Sequence, residues 1–275
     1  FAVDLLRDIN NYNVDYFIPI VLGKKKVGWL HYSKLNSLER VDKKSTSINF
    51  HQLKNYFKKI NLNSNIEFCP IFNFDSLSPK INFNHEKKFC EGKFFKINRK
   101  YLSNFGFPAY GVHCNIWSKY KNSTIIHFAK RSKKLEKFPG LYDNPIAGGQ
   151  PCNISIKKNL YKEGKEEAGL TQKNLVKAKK SKTIHYIHNY KSKLNSSIIF
   201  IYHLKNLNDL NFKNEDGEVD EFVSVEIENI YKILEKNLLK PNAIIPIIDF
   251  LILKESDFIS KPAMLELNKI MKSYG

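Results

Sequence analysis

The segment from Gly148 to Leu170 constrains the fold of this chain more than any other stretch. It reads GGQPCNISIKKNLYKEGKEEAGL and places a glycine pair before a stretch with helical spacing. Ser155 is a typical helix N-cap residue, and Gly169 suits the position where a helix ends. The pattern therefore predicts a helix over 156–168 that follows a tight loop at the glycine pair.

Three carboxylates lie within five positions of this predicted helix. Glu166 and Glu167 follow Glu163 by three and four positions, so the side chains can converge on one helix face. Crowded carboxylates repel one another unless their oxygens bind a hard cation such as Mg²⁺. Two interpretations stay open at this point: a solvated helical face, which is what most charge runs are, and a metal site.

The same segment resembles the Nudix box, whose signature is GX5EX7REUXEEXGU, where U is a bulky aliphatic residue. Residues 162–170, KEGKEEAGL, match its second half, and its opening glycine falls on Gly148, so the spacing is kept. Lys162 replaces the arginine of the signature, Gly164 the aliphatic residue and Ile154 the first glutamate. Because Ile154 cannot bind a metal, the number of metal ions that the site holds stays open.

Eight segments outside the box carry a second resemblance. They are Phe17–Ile20, Val27–Leu30, Tyr110–His113, Arg131–Ser132, Phe138–Asn144, Asn214–Val219, Lys240–Ala243 and Ile248–Phe250. Together they resemble the thiamine-pyrophosphokinase-like Nudix hydrolases, over nearly the whole chain. The resemblance implies an α/β (α+β) fold: a smaller α+β domain over 1–105, followed by a Nudix domain over 106–275 built as an α/β/α sandwich with a mixed sheet.

Hydrophobic periodicity gives the same fold class independently, because strands and helices alternate along the second part of the chain. The Asn-rich stretch 61–100 carries little functional information. Predicted helices cover 1–9, 52–60, 227–238 and 241–254, the last of them buried. Predicted strands cover 16–22, 27–31, 109–116, 124–129, 183–190, 197–203 and 219–225.

The net charge of +18 raises the question of a nucleic-acid partner. The lysines are spread along the whole chain among Asn and Ile residues, with no arginine-rich tract. We therefore attribute the charge to compositional bias and expect no nucleic-acid partner. A basic surface would still attract a small-molecule diphosphate substrate.

Cysteine usage and hydropathy bear on the compartment. The four cysteines, at 69, 90, 114 and 152, show no CxxC spacing, so we expect mostly buried thiols in a reducing compartment and no disulfide framework. No apolar run approaches the ~20 residues of a membrane span, so no membrane partner is expected. The prediction is a cytoplasmic protein, with a removed organellar leader left open because the sequence starts at Phe1 without a methionine.

The resemblance also implies roles for individual carboxylates. Glutamates of the box helix bind metal in the family, so Glu163, Glu166 and Glu167 are the predicted ligands of Mg²⁺ or Mn²⁺. A loop acid after the box reaches over the metals, and Glu218 is our first choice for it, with Glu221 second. The catalytic base stays open among Glu163, Glu166 and Glu218. For Glu218 the alternative is a solvated turn at 216–217.

Three residues are predicted to contact the substrate. Arg131 offers a planar fork suited to a phosphate, although a salt bridge to Asp143 is an equally plausible role for it. Gly148 and Gly149 can let backbone N–H groups approach the diphosphate.

The leading hypothesis is a metal-dependent hydrolase that converts thiamine diphosphate, or an oxidised analogue, to the monophosphate and phosphate. Three alternatives stay open: a thiamine pyrophosphokinase, for which no Walker-type loop is present, a broader hydrolase of nucleoside diphosphate-linked compounds, and a diphosphate-binding module without catalysis. Ile154 and Lys162 favour the last of these. The N-terminal domain could be a substrate lid, a homodimerisation unit or a partner-binding surface.

Overall fold

The computed structural model describes residues 2–38, 41–42, 44–61, 67–79, 82–206, 210–254 and 259–273. The α-helices are α1 (Ala2–Ile9), α2 (Phe50–Asn61), α3 (Ile156–Ala168), α4 (Gln172–Leu175), α5 (Ile230–Glu235), α6 (Pro241–Leu253) and α7 (Lys261–Ser273). The strands are β1 (Phe17–Leu22), β2 (Lys25–His31), β3 (Ile48–Asn49), β4 (Phe68–Ile71), β5 (Phe95–Asn98), β6 (Ala109–Tyr120), β7 (Ser123–Arg131), β8 (Tyr142–Asp143), β9 (Ile146–Gly149), β10 (Lys179–Tyr190), β11 (Lys193–Lys205) and β12 (Val219–Glu226). Phe1, where the first helix was predicted to start, lies outside the described residues.

A mixed seven-stranded sheet forms the centre of the molecule. Its main order is β10-β11-β6-β7-β12, while β8 pairs with β7 and β9 with β6. Strands β6 and β11 run parallel to each other, and the remaining pairs are antiparallel. The predicted mixed sheet is therefore confirmed.

Strand β11 shows how the sequence builds layers on both faces of this sheet. Successive side chains of a strand point to opposite faces. Ile198 and Phe200 accordingly pack in the cluster that contains the apolar side of α3, whereas Ile199 and Ile201 pack in the cluster that contains α6. Helices thus cover both faces, and the predicted α/β/α sandwich is confirmed.

The residues before position 106 build a small core of their own and also contribute to the large one. Strands β2, β1 and β3 form one sheet, β4 and β5 form another, and α2 packs against them around Phe50 and Phe57. Helix α1, in contrast, buries Leu6 and Ile9 in the cluster of α6 and α7. The division at residues 105 and 106 stays a prediction.

Segment 85–90 ties the N-terminal part of the chain to the start of α3. The backbone N–H of Phe89 donates to the Ile154 carbonyl at 3.2 Å, and that of Cys90 donates to the Cys152 carbonyl at 3.2 Å. Cys90 and Cys152 are joined by a disulfide, whereas Cys69 and Cys114 are buried free thiols. The expectation of free thiols was therefore wrong for one pair. The cause is a backbone contact between segments 62 positions apart, which spacing rules do not reveal.

The disulfide gives a direct chemical prediction. Thiol titration of the unreduced, denatured protein should find two free thiols, and reduction should raise the count to four. A loop of 62 residues is worth roughly 4 kcal/mol in the chain-entropy model, so Cys152→Ser should lower the free energy of unfolding in urea by up to that amount. Reductant should destabilise the wild type and leave Cys152→Ser unchanged. Four titratable thiols before reduction would contradict the pairing.

One predicted helix differs from the structure, and helix α7 was not predicted. The stretch predicted as one helix over 227–238 is a 3-10 turn, Ile227–Asn229, followed by α5, which ends because Asn237 adopts a left-handed φ of 50°. Helix α6 is buried as predicted, but α7 follows it and buries Leu267 and Met271. Among the helices of the described residues, none combines the length and the apolarity that crossing a membrane requires.

Candidate active site

Helix α3 carries the acidic residues and begins and ends where the sequence predicts. The hydroxyl of Ser155 accepts a hydrogen bond from the Lys158 N–H at 3.1 Å. Gly169 ends the helix with φ 65°, a left-handed conformation that favours glycine. Gly164 lies against the side chains of Leu175 and Ile146, and a Cβ there would be 2.5 Å from the Leu175 Cδ1 atom. Gly164 thus allows helix α3 to pack closely against strand β9 and helix α4.

The glycine pair lies in strand β9 and not in a tight loop, which corrects the prediction for this segment. Neither glycine has a positive φ; both are required because side chains lie directly on their Cα atoms. A Cβ at Gly148 would be 2.0 Å from the Glu163 Cδ atom, and a Cβ at Gly149 would be 1.8 Å from the Arg99 Nη1 atom. The bare backbone therefore lets a carboxylate and a guanidinium approach strand β9 closely, one on each of its two faces.

Lys162 links two of the predicted metal ligands. Its ammonium lies 3.0 Å from Glu163 Oε1 and 2.6 Å from Glu166 Oε2. Burial raises the pKa of Glu163 above its ordinary value, and the Lys162 ammonium opposes this rise only in part. Burial would lower the pKa of Lys162, but its hydrogen bonds to both carboxylates raise that pKa above its ordinary value. A cation thus already lies between Glu163 and Glu166.

Glu167 has a different environment from the other two glutamates. It is buried, and its Oε2 atom accepts the Ala147 N–H at 2.7 Å, which ties α3 to β9. Burial raises the pKa of Glu167 well above the ordinary value and so favours its neutral form. Within the part of the chain that the structure describes, no three His, Cys, Asp or Glu side chains are grouped closely enough to hold a metal ion. A metal bound by all three glutamates stays a prediction.

A cavity of about 110 Å³ lies beside the glycine pair. Strands β6, β9, β10 and β11 contribute to its lining, and so do two cationic residues, Arg99 and Lys240. The Lys240 ammonium is paired with Asp143 Oδ2 at 2.7 Å. His113 also lines the cavity, and burial lowers its pKa, so it is neutral near pH 7.

Arg131, the predicted phosphate ligand, is bound by other groups of the protein. Its guanidinium lies 3.4 Å from Asp143 Oδ2 and also donates to the carbonyl oxygens of Phe138 and Lys137. It is absent from the described residues that line the cavity. The contact to Asp143 is the alternative that the sequence left open, and a phosphate contact of Arg131 stays a prediction.

Glu218 lies in an exposed turn after the box. The Asn214 side chain accepts the N–H groups of Asp216 and Gly217, and Gly217 has φ 82°. The turn abuts the last part of α3, because the Glu215 N–H donates to the Glu166 carbonyl at 3.0 Å. Glu221, the second choice, pairs with Lys130 at 2.6 Å. The structure thus brings the backbone of this turn to α3 and leaves the Glu218 side chain exposed.

The sequence reasoning gave no role to Arg99 and Lys240, which line the cavity, or to Glu67, which pairs with Arg99. Arg99 and Glu67 come from the Asn-rich stretch that shows no motif, so nothing in the sequence pointed to them. Lys240 belongs to the Lys240–Ala243 segment, which was recognised as similar to the family but was assigned no role.

Comparisons with known proteins bear on the family. No family model matches the chain. Nudix hydrolase 20, chloroplastic, of Arabidopsis thaliana is 32% identical over 159 residues, which are 58% of this chain and 42% of that protein. Nudix hydrolase 24, chloroplastic, of the same plant is 31% identical over 159 residues, covering 58% of this chain and 44% of that protein. The chain therefore spans less than half the length of these relatives.

Among solved structures, the NUDIX domain of Shewanella oneidensis NrtR, complexed with ADP ribose, matches 55% of this chain and 94% of that chain. The TM-score is 0.42 and the sequence identity 13%. Both plant relatives are named Nudix hydrolases, and the match to each covers 58% of this chain.

Proposed function

We propose that the chain is a metal-dependent diphosphate hydrolase that cleaves thiamine diphosphate, or an oxidised analogue of it, to the monophosphate and phosphate. The observation that carries the proposal is the contact between α3 and β9. The Glu163 carboxylate lies on Gly148, which lines a cavity that also contains Lys240. A carboxylate able to bind a metal thus adjoins a cavity with a cation suited to a phosphate.

Glu163 and Glu166 are the residues that we propose to hold Mg²⁺ or Mn²⁺, with Glu167 as a third ligand. Their oxygens are hard donors, and the space between Glu163 and Glu166 accepts positive charge, because the Lys162 ammonium lies there. A bound divalent ion would supply charge neutralisation at the phosphate oxygens and a water of lowered pKa. Lys162 would then leave this position, which its long flexible side chain permits.

The general base is proposed among Glu163, Glu166 and Glu218, in that order. Burial raises the pKa of Glu163, which brings it nearer to the pH at which a base works most efficiently. Glu166 is more exposed than Glu163. Glu218 would need a movement of its turn toward α3, which the turn touches through the Glu215 N–H.

The choice of a thiamine diphosphate-like substrate rests on the branch resemblance, and one of its segments lines the cavity. Lys240 and Asn242 both belong to that segment and to the lining. The Asn242 Oδ1 atom is buried and has no hydrogen-bond partner among the described residues, so a ligand with an N–H or O–H donor would satisfy it. The N–H groups of Gly148 and Gly149 and the Arg131 guanidinium remain the proposed phosphate contacts.

The test is phosphate release, measured with Mg²⁺ and with Mn²⁺, from thiamine diphosphate, oxothiamine diphosphate and a panel of nucleoside diphosphate-linked compounds such as ADP-ribose. We expect the highest kcat/KM for one of the thiamine compounds and no turnover in excess chelator. A higher kcat/KM for the nucleotide-linked compounds would replace the proposed substrate with a broader one. No turnover of any compound would contradict the hydrolase.

A diphosphate-binding module without catalysis is the second candidate. It is favoured by the Lys162 ammonium, which neutralises Glu163 and Glu166 without a metal, and by Ile154 in place of the first box glutamate. Calorimetry separates the two candidates. Tight binding of thiamine diphosphate with no turnover under any divalent metal would establish the module.

A further inference from the structure

One wall of the candidate site comes from a residue before position 106. Arg99 lines the cavity together with Gly148 and Gly149. It is the first residue of a 3-10 helix, Arg99–Asn104, whose preceding residue, Asn98, accepts the Lys100 N–H with its side chain at 3.0 Å. The start of this short helix is therefore fixed locally.

Arg99 is also attached to Glu67 at two points. Its backbone N–H donates to the Glu67 carbonyl at 3.0 Å, and its Nη1 atom donates to Glu67 Oε1 at 3.1 Å. The side chain is 33% exposed, so it is held in place and remains accessible to a ligand. In the part of the chain that the structure describes, the Glu67 carboxylate pairs with this guanidinium through its Nη1 atom. Other N–H groups of the guanidinium remain for a second acceptor.

The guanidinium lies against the Cα atom of Gly149, and the Glu163 carboxylate lies against that of Gly148, on the other face of strand β9. A Cβ at Gly149 would be 1.8 Å from Arg99 Nη1 and 2.5 Å from Nη2. The carbonyl of Gly149 accepts a hydrogen bond from the Asn159 Nδ2 atom at 2.8 Å, and Asn159 is one helical turn before Glu163 on α3. Helix α3 thus holds the strand backbone on which the Arg99 guanidinium lies.

The cavity lining contains two cations, which suits an anionic ligand. Arg99 and Lys240 line the same cavity, and each is held by one carboxylate, Glu67 and Asp143 respectively. A planar guanidinium can bind a phosphate through two parallel N–H donors.

We infer that Arg99 is a substrate-binding residue that contacts a phosphoryl group of the diphosphate, so that the N-terminal part of the chain completes the active site. This inference deepens the proposed function and rests on it for the identity of the ligand. Glu67 is a positioning residue, since it acts by orienting Arg99. Gly149 is needed because any side chain at this position would displace the guanidinium.

Binding of methylenediphosphonate, an analogue of diphosphate whose P–C–P bridge cannot be hydrolysed, tests the inference without requiring turnover. Isothermal titration with Mg²⁺ should show binding to the wild type and a loss of about 10- to 100-fold in affinity for Arg99→Ala, as expected for a charge-assisted contact. Arg99→Lys should recover part of the loss because it retains the charge without the fork. Gly149→Ala should lose affinity to a similar extent, although it removes no charge.

Arg7→Ala is the matched control, because Arg7 forms an exposed ion pair of 2.6 Å with Glu266 and does not line the cavity. It should bind as the wild type does, and thermal melting should show that all variants are folded. Any of three results would overturn the inference. They are wild-type affinity in Arg99→Ala, a loss of affinity in Arg7→Ala equal to that in Arg99→Ala, and no binding by the wild type. If the wild type binds and Arg99→Ala does not, while no substrate is turned over, the inference holds and the hydrolase fails.

Discussion

Glu163→Gln should lower kcat for the cleaved diphosphate by about 10²- to 10⁴-fold, the range in which a positioned acid–base group contributes. The substitution keeps the shape of the side chain on Gly148 and removes its negative charge. Glu163 is 12% exposed, contacts the Lys162 ammonium and lies against Gly148, which lines the cavity. A neutral amide at this position can neither accept a proton nor offer an anionic ligand to a cation.

The kinetics of this variant need a control with the same chemical change away from the site. Glu235→Gln serves, because Glu235 lies on the exposed side of α5. It should retain the wild-type kcat. For both variants, the denaturant concentration at the midpoint of unfolding should be close to that of the wild type. Equal turnover by the wild type and Glu163→Gln would remove Glu163 from the catalytic set and leave Glu166 and Glu218 as candidates.

The helix that carries these glutamates was predictable because its signals are local. Ser155 and Gly169 define its ends through contacts with residues three to five positions away. The spacing of Glu163 and Glu166 follows from the helical repeat alone. The strand β11 was predictable for a related reason, because side chains on both of its faces are buried and the sequence is nearly continuously apolar.

The rest of the site depends on contacts that no local signal encodes. Arg99 meets Gly149 across 50 positions of sequence, and the reason for Gly149 is the guanidinium on its Cα atom and not a turn. The pairing of Cys90 with Cys152 follows from the same docking of the N-terminal part on the start of α3. Such contacts are set by tertiary packing, so composition and periodicity in the Asn-rich stretch could not reveal them.

Residue type also left the roles of charged side chains undetermined. Arg131 and Lys240 are both suited to a phosphate, and both pair with Asp143, yet of the two only Lys240 is among the described residues that line the cavity. The sequence favoured Arg131 because its planar fork suits a phosphate. Side-chain chemistry alone is a poor guide here, since β7 directs Arg131 toward the 137–138 turn and the start of α6 brings Lys240 to the cavity.

Asp249→Ala should lower the free energy of unfolding by about 3–5 kcal/mol, as expected when one partner of a buried ion pair is removed. Asp249 lies on α6 and is 2% exposed. Its Oδ2 atom accepts from His203 Nε2 at 2.9 Å and from Ser181 Oγ at 2.6 Å, and its Oδ1 atom lies 3.1 Å from Lys182 Nζ. One carboxylate therefore ties α6 to β10 and β11, and its loss leaves these donors without an acceptor.

The pH dependence of this effect has a definite sign. Burial alone would raise the pKa of Asp249, but the hydrogen bonds from His203 and Ser181 and the nearby charges hold it below its ordinary value. A carboxyl whose pKa is lowered by folding contributes stability above the pKa of the unfolded chain, about 3.9, and loses that contribution as the pH falls through the folded-state pKa. In urea denaturation, the difference between wild type and Asp249→Asn should be full at pH 6–7 and shrink below about pH 4.

Glu266→Ala is the control for the Asp249 variants, since it removes a carboxylate from an ion pair of similar length, 2.6 Å to Arg7, at an exposed position. It should lower the free energy of unfolding by no more than about 1 kcal/mol, because solvent screens exposed ion pairs. If Asp249→Ala lowers the free energy of unfolding by no more than this control does, the contacts of Asp249 do not hold α6 on the sheet. A large loss confined to Asp249 would show that the Ile248–Phe250 segment, which carries the branch resemblance, fixes the position of α6. Because α6 begins at Pro241, directly after Lys240, it would thereby also fix the cation that lines the cavity.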